Sequence, residues 1–275
     1  MPRPSQSPSF QQTFINENID NTIEVRIVHE KKLEATDLQW LFNSASNSPR
    51  SVGISPAYSK SGNLPTLACA LDNRVLIINF PSSDPYDDGS TNGPRPRDII
   101  KRRNRLEQEL LCHPDCTIYS FDVATLALSL HLHHHLHLSN AIDIQSALPV
   151  DSRSPVDSVR AIVGDQIFED RIISSFETTA YGSDKQDNTD SAQMAWLCGY
   201  LGRYEVGNTK DLFYAAPKVD TRKFSARVSL FLSHQKNQIY DGASHTFALQ
   251  GIVCSAEDII RCAAACHSEA RFRRT

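Results

Sequence analysis

The chain has 275 residues, enough to bury a sizeable core as one domain with tails or as two small domains. Its formal net charge is −4, and no apolar run approaches the roughly 20 residues that a membrane helix needs, so we expect a soluble protein without membrane contact. Its seven cysteines, odd in number and without a regular framework, argue against a disulfide scaffold and for reduced thiols in the nucleus or cytoplasm.

The first third of the chain predicts a tail followed by strands and one helix. Residues 1–20 are rich in Pro, Ser and Gln and lack the apolar segment of a secretory signal, so they predict a disordered tail. Alternation of apolar and polar residues at 23–28 predicts a strand. Apolar residues spaced i, i+3, i+4 within 34–47 predict a short amphipathic helix. Three apolar segments between 51 and 80, separated by turn residues, predict a three-stranded meander.

The rest of the chain is predicted to be mostly helical. Residues 81–98 are dense in Pro, Gly, Ser and Asp and predict a loop. The next elements are a helix from Ile99 to about Leu111, a strand at 117–121, a helix at 122–134 and an extended segment at 136–146. Further helices are predicted at 155–165, 190–202, 221–243 and 254–274, with a polar segment at 178–190.

This order predicts the fold class. Three adjacent antiparallel strands, followed by strands that are reached through helices, predict an α/β fold with a mixed sheet flanked by helices. We assign residues 21–250 to a single domain and 251–275 to a C-terminal helix with a basic end.

Five segments, in this order, carry a resemblance to a known family: "SVGISPAYSKSG", "LPTLACALDNRVLIINF", "TIYSFDVATLALSL", "LSNAIDIQS" and "DLFYAAPKVD". Together they resemble the DEDD-type 3′-to-5′ exonuclease domain of ribonuclease D and the Werner helicase, which has a ribonuclease H-like fold. The resemblance covers 21–250. It implies four acidic residues that hold two divalent metal ions, which activate a water and stabilise the leaving oxygen of the phosphodiester.

The four metal-binding acids of that family are replaced in this sequence. Ser55 and Ala57 stand where the first motif has Asp and Glu, and Thr125 stands where an Asp opens a helix. The last motif keeps its tyrosine, Tyr214, but has Lys218 at the Asp position. An ammonium at Lys218 opposes a cation as well as removing a ligand. We therefore predict a catalytically inactive pseudo-exonuclease, without metal or cofactor, whose function lies in binding.

Other acids leave a catalytic alternative open. Asp122 lies three residues before Thr125 and could substitute for it if the turn is shifted. Asp143 matches an acid often present in the family, which we interpret as a helix cap or structural residue. Asp220 lies two residues beyond Lys218, about 200° around a helix, and should not rescue the site. The alternative is a divergent 3′-to-5′ exonuclease acting on RNA or DNA with Mg²⁺ or Mn²⁺.

One basic segment stands out from the nearly balanced charge. Its residues are Arg95, Arg97, Lys101, Arg102, Arg103 and Arg105. Such a block forms either a phosphate-binding stripe or a solvated helix face. We predict that the domain binds nucleic acid, through this block, or a nucleic-acid-processing partner. A protein-interaction scaffold without nucleic-acid binding, in which the block is only a solvated helix face, is the remaining alternative. Tyrosines could stack bases beside it, although most should pack, and for Tyr214 we expect packing or a hydrogen bond at the cleft.

A second similarity concerns partners. Residues 140–146, 155–165 and 190–202 are similar to modules that precede helicase regions in large fungal proteins. This implies a helicase region or another protein as partner, and a chain that is a fragment or a stand-alone relative, because the sequence has no G-x-x-x-x-G-K-[ST] motif.

Two Cys/His groups have the spacing of zinc half-sites. They are Cys112, His113 and Cys116, and Cys262, Cys266 and His267. Buried cysteines that pack as small apolar residues are the alternative, and we favour it over zinc.

A histidine-rich stretch spans 131–137. The leucine repeat before it predicts a core helix ending near His133 to His135, whose imidazoles satisfy terminal carbonyls. Beyond that end, Leu136 and Leu138 should face one side of an extended segment and His137 the other. The five imidazoles would then lie on two elements and would not converge on one metal.

Overall fold

The computed structural model describes residues 9–15, 22–43, 49–60, 62–81, 96–148, 154–181, 188–204 and 209–223. Its strands are β1 (Ser9–Gln11), β2 (Thr22–His29), β3 (Arg50–Ala57), β4 (Thr66–Leu71), β5 (Arg74–Asn79), β6 (Cys116–Ser120) and β7 (Ala141–Asp143). Its helices are α1 (Ala35–Phe42), α2 (Pro96–Leu106), α3 (Val123–His134), α4 (Ile144–Ala147), α5 (Pro155–Val163), α6 (Glu169–Tyr181), α7 (Asn188–Arg203) and α8 (Thr209–Ala215). A π-helical turn (Glu107–Leu111) continues α2, and 3-10 turns lie at Glu30–Lys32 and Thr221–Lys223.

All of these strands belong to one mixed sheet in the order β1-β2-β5-β4-β3-β6-β7. β3, β4 and β5 form the predicted antiparallel meander. β6 is parallel to β3 and β7 is parallel to β6. The chain enters β6 through α2 and β7 through α3, because parallel neighbours need a crossover connection. β2 lies beyond β5 and is parallel to it, while β1 is antiparallel to β2. The predicted α/β mixed sheet is confirmed, and three antiparallel strands extended by parallel ones are the ribonuclease H-like arrangement.

The sheet separates two apolar cores. On one face, Val52 and Ile54 of β3 pack with α1, α3 and the end of α2. On the other face, Ala68 and Ala70 of β4 pack with α5, α6 and α7. Because side chains alternate along a strand, Gly53 and Ser55 face α7. Every residue of β4 is buried, as expected for a central strand with helices on both faces.

The helix α7 crosses β3 in direct backbone contact. A Cβ atom added to Gly53 would lie 2.0 Å from the carbonyl oxygen of Ala195 and 2.1 Å from the nitrogen of Gly199. One turn on, a Cβ at Gly202 would lie 2.4 Å from the ring of Tyr119. Glycine is therefore required at these positions for the helix to approach the sheet so closely.

The predicted disordered tail is wrong for residues 9–15. Ser9–Gln11 forms β1, and Phe14 is 0% exposed in the core beneath α5 to α7. The Gln12 side chain accepts hydrogen bonds from the N–H groups of Phe14 and Ile15, which fixes the turn. Burial of one large aromatic ring thus holds a segment whose composition alone is that of a tail.

Two further results concern the predicted helices. α6 was not predicted, because part of it falls in the polar segment 178–190 and the rest lacks a clear N-terminal signal. The helices predicted at 221–243 and 254–274 lie outside the described residues, apart from the 3-10 turn Thr221–Lys223. Within the described part of the chain, no helix has the length and apolar character needed to cross a bilayer.

Candidate functional site

The end of β3 carries the first two degenerate positions. Ser55 is 4% exposed, and its hydroxyl donates a 3.3 Å hydrogen bond to the carbonyl of Pro56. Ala57 lies on the same face of the strand and pairs with Thr66 of β4. Just beyond β3, the N–H of Tyr58 donates to the carbonyl of Thr179 near the end of α6, at 3.0 Å. Helices therefore cover the part of the sheet where the resemblance implies two metal-binding carboxylates.

Asp122, the first possible substitute, caps a helix. It lies in the turn between β6 and α3 with a positive φ of 51°, a conformation that Asp tolerates better than most residues. Its Oδ1 accepts a 3.2 Å hydrogen bond from the N–H of Thr125, as expected of an N-cap. Asp122 is exposed, and the half-buried Thr125 supplies no acid to the site.

Asp143, the second possible substitute, is also an N-cap, as predicted. Its carboxylate accepts hydrogen bonds from the N–H of Gln145 at 3.1 Å and from the hydroxyl of Ser146 at 2.8 Å. Burial raises the pKa of Asp143, the Ser146 hydrogen bond lowers it, and the charge of Asp122 raises it further. The two aspartates thus lie at or just beyond the ends of neighbouring parallel strands, and the charge of Asp122 acts on Asp143.

These residues do not fit a two-metal centre. Mg²⁺ and Mn²⁺ take several oxygen ligands, mainly carboxylates, and two metals require both charge and ligands from the protein. Across residues 9–223, leaving out the gaps in the description, no three His, Cys, Asp or Glu side chains are grouped so that they could hold a metal ion. Serine, alanine, threonine and lysine stand at the four positions where the resemblance implies acids, and none of them supplies a carboxylate.

The last motif presents an aromatic ring and a cation to solvent. Tyr214, in α8, is 85% exposed, so of its two expected roles, packing or a hydrogen bond at the cleft, packing is wrong. The Lys218 ammonium lies 5.8 Å from the centroid of the Tyr214 ring, within cation–π range. The Asp220 carboxylate contacts the Arg222 guanidinium at 3.0 and 2.9 Å instead of extending towards a metal.

The basic segment divides into exposed and buried residues. Arg97 and Lys101 are exposed on α2. Arg102 is half-buried, and Arg105 lies 3.5 Å from Glu109 in an i, i+4 pair. Arg95 lies outside the described residues.

Arg103 differs from the rest of this segment because it is buried. It forms a bidentate ion pair with Glu30: Nε of Arg103 lies 2.5 Å from Oε1 of Glu30, and Nη2 lies 3.3 Å from Oε2. Its guanidinium is committed to this carboxylate and is not available to a phosphate. The sequence does not reveal this pairing, since the two residues are 73 positions apart.

The histidine-rich stretch divides as predicted. α3 ends at His134, His135 takes a left-handed conformation at its C-cap, and Leu136 and Leu138 are fully buried. His137 faces the other side, where its Nδ1 lies 3.2 Å from the carboxylate of Glu107. Within the described residues these histidines form no metal-holding group.

His134 is a core residue. Its Nε2–H donates a 2.8 Å hydrogen bond to the carbonyl of Leu64, and its ring stacks on Phe80 at 3.8 Å. Burial lowers the pKa of His134 to about 3, although the Leu64 hydrogen bond opposes the shift. The neutral imidazole is therefore the form that the fold accepts.

The fold should weaken as the pH falls through the ordinary histidine range. Between pH 6.5 and about 3 the unfolded chain holds a proton at His134 that the folded chain lacks, so unfolding becomes easier with acid. From pH 7.5 to pH 5 we expect this residue to lower the free energy of unfolding by about 2 kcal/mol, as measured by urea denaturation. His134→Gln, which keeps the donor to Leu64, should remove most of that loss. His135→Asn, at an exposed left-handed position, should retain it; an unchanged pH dependence in His134→Gln would contradict the assignment.

The first Cys/His group lies around the start of β6. Cys112 is half-buried and Cys116 buried; burial raises the pKa of both thiols, that of Cys116 to about 11. His113 Nδ1 accepts a 3.2 Å hydrogen bond from the N–H of Asp115. The second group, Cys262, Cys266 and His267, lies outside the described residues.

The sheet order defines a ribonuclease H-like fold. Similar solved structures are nucleases at low sequence identity. The catalytic core of RRP6 from Trypanosoma brucei is 11% identical, with a TM-score of 0.45 over 84% of this chain and 55% of that one. RNase D from the same organism, in complex with GMP, is 14% identical, with a TM-score of 0.44 over 84% and 67%. Brucella melitensis NrnC is 12% identical, with a TM-score of 0.42 over 82% and 98%.

Comparisons at the level of sequence give no match. No protein-family model matches the chain, and no curated protein does.

Proposed function

We propose that this chain is a catalytically inactive exonuclease-like domain that binds nucleic acid. The observation that carries the proposal is the replacement of the metal-binding acids, with a lysine at the last position and a buried serine at the first. Asp122 and Asp143 support it as well, since both carboxylates are engaged in capping helices. A domain that keeps its fold but lacks the metal ligands still presents its surface to other molecules, so we assign binding as its function.

The proposed binding surface is the exposed side of α2. Ile99 and Leu106 are buried, which leaves Arg97 and Lys101 on the outer side with Arg102 beside them. Leu106 packs into the core with Val52 and Ile54, on the face of the sheet opposite Ser55. Nucleic acid held here would therefore not depend on the degenerate site at the end of β3.

Incubation with labelled nucleic acid tests the inactive assignment. We expect 5′-labelled single-stranded RNA and DNA to remain full-length with the protein and either Mg²⁺ or Mn²⁺. Asp122→Asn and Asp143→Asn are the matched variants, because any trace of contaminating nuclease would persist in both. Shortening that either substitution abolishes would instead establish the alternative, a divergent 3′-to-5′ exonuclease.

Removing the charges of Arg97 and Lys101 on α2 should lower the affinity for nucleic acid and the salt dependence of that affinity together. For Arg97→Gln/Lys101→Gln we expect about a tenfold or greater loss of affinity at moderate salt. The slope of log affinity against log salt should fall by about 1.4 for single strands, because two phosphate contacts and their counterions are lost. Fluorescence anisotropy across a salt series measures both quantities. Arg171→Gln, an exposed arginine on α6 across the sheet, is the control and should bind like the parent.

A protein-interaction scaffold is the remaining candidate, with a helicase region or another protein as partner in the nucleus or cytoplasm. Absent or salt-independent binding of RNA and DNA would favour it over the main proposal. A pull-down that survives nuclease treatment would give it direct support.

A further inference from the structure

The exposed position of Tyr214 is fixed by its neighbours in α8. Phe213 is buried, with its ring edge-on to Tyr119 at 5.2 Å, and Leu212 packs against the same core. Successive helix residues point about 100° apart, so anchoring Leu212 and Phe213 turns Tyr214 outward. Its 85% exposure is the highest of any large apolar side chain in the described residues.

The position of Lys218 is fixed by the next residue. Val219 exchanges backbone hydrogen bonds with Ala141 of β7, with N–H to oxygen distances of 2.8 and 3.3 Å, and its side chain packs on the core. Because neighbouring residues of an extended segment point to opposite sides, Lys218 is directed away from the core. Its ammonium lies near the Tyr214 ring.

The charges next to this pair leave room for an anion. Asp220 is the nearest acid along the chain, and its carboxylate is neutralised by two contacts with Arg222. In the described part of the chain Lys218 has no carboxylate partner of its own. A phosphate at Lys218 would therefore displace no existing ion pair.

We propose that Tyr214 and Lys218 form a subsite for one nucleotide of single-stranded nucleic acid, in which the base stacks on Tyr214 and a phosphate contacts Lys218. This inference rests on the proposed nucleic-acid binding and gives it a preference for unpaired strands. Every base has a π-face, so the subsite tolerates sequence, while a duplex keeps its base faces stacked and out of reach. Because the core holds both anchors in place, little side-chain freedom is lost on binding. The lysine that disrupts the metal site thus supplies a phosphate contact.

The test is an anisotropy titration with 5′-labelled oligo(U), oligo(dT) and a blunt duplex, each about 12 nucleotides long, a typical site size for single-strand binders. Tyr214→Ala should weaken binding of the single strands by at least about fivefold, and Tyr214→Phe should bind like the parent, since only the ring is needed. Lys218→Gln should lower the salt slope by about 0.7, and Lys218→Arg should restore it. Phe168→Ala, another exposed aromatic residue, is the matched control.

The outcomes separate this inference from the function on which it rests. If Tyr214→Ala and Lys218→Gln bind like the parent while Arg97→Gln/Lys101→Gln is weakened, the subsite is wrong and nucleic-acid binding stands. If the parent binds none of the three probes, both proposals fail. An equal loss of duplex binding in Tyr214→Ala would overturn the stacking role. Losses on both oligo(U) and oligo(dT) support the subsite, and their ratio identifies the strand it prefers.

Discussion

Replacing Gly53 with alanine is expected to cost on the order of 4 kcal/mol or more, which is enough to unfold a domain of ordinary stability. The added Cβ would lie 2.0 Å from the carbonyl oxygen of Ala195 and 2.1 Å from the nitrogen of Gly199. Both atoms belong to the backbone of α7, so no side chain can move aside to relieve the overlap. The helix would have to leave the sheet, and Trp196 and Leu197 would lose their burial in the core.

The matched control is Gly199→Ala, on the other side of the same contact. Its Cβ would lie 3.1 Å from the nitrogen of Gly53 and 3.4 Å from the carbonyl of Ala70, so a shift of a few tenths of an ångström could accommodate it. Alanine also favours the helix by about 1 kcal/mol over glycine. Urea denaturation should therefore show a much smaller loss in the free energy of unfolding for Gly199→Ala than for Gly53→Ala. A Gly53→Ala protein within about 1 kcal/mol of the parent would show that α7 lies farther from β3.

The fold could be predicted from local pattern wherever a single element determines its own burial. The meander at 51–80 and the helices at 122–134 and 155–165 carry apolar spacings that indicate their type without reference to the rest of the chain. β1 could not be predicted in this way, because its order comes from pairing with β2 and from the burial of Phe14 beneath distant helices.

The candidate site was predictable only in part. The sequence offers replaced acids only through the resemblance. It does predict the capping role of Asp143, since short acids before a helix favour N-caps. The exposure of Tyr214 was missed because it depends on Phe213 reaching Tyr119 across the fold. The periodicity of α2 could have indicated that Arg103 is buried, since Arg103 lies four residues after Ile99 and three before Leu106, both of which are buried.

The ion pair between Arg103 and Glu30 connects α2 to the turn that follows β2. The two side chains are 10% and 1% exposed, so neither charge is solvated enough to remain unpaired at low cost. Arg103 also lies close enough to His134 for its charge to lower the pKa of that imidazole. The pair is thus a buried polar contact within a mostly apolar layer made by Leu106, Leu110 and their neighbours.

Arg103→Met is expected to destabilise the domain by about 3–5 kcal/mol, because it leaves the Glu30 carboxylate buried without its partner. Glu30→Met should cost a similar amount by leaving the guanidinium unpaired, whereas Glu30→Met/Arg103→Met should recover most of the loss, since no buried charge remains. Urea denaturation of the four proteins gives the coupling free energy directly. A double variant as unstable as the sum of the single ones would mean that the two side chains act separately, each through its own packing.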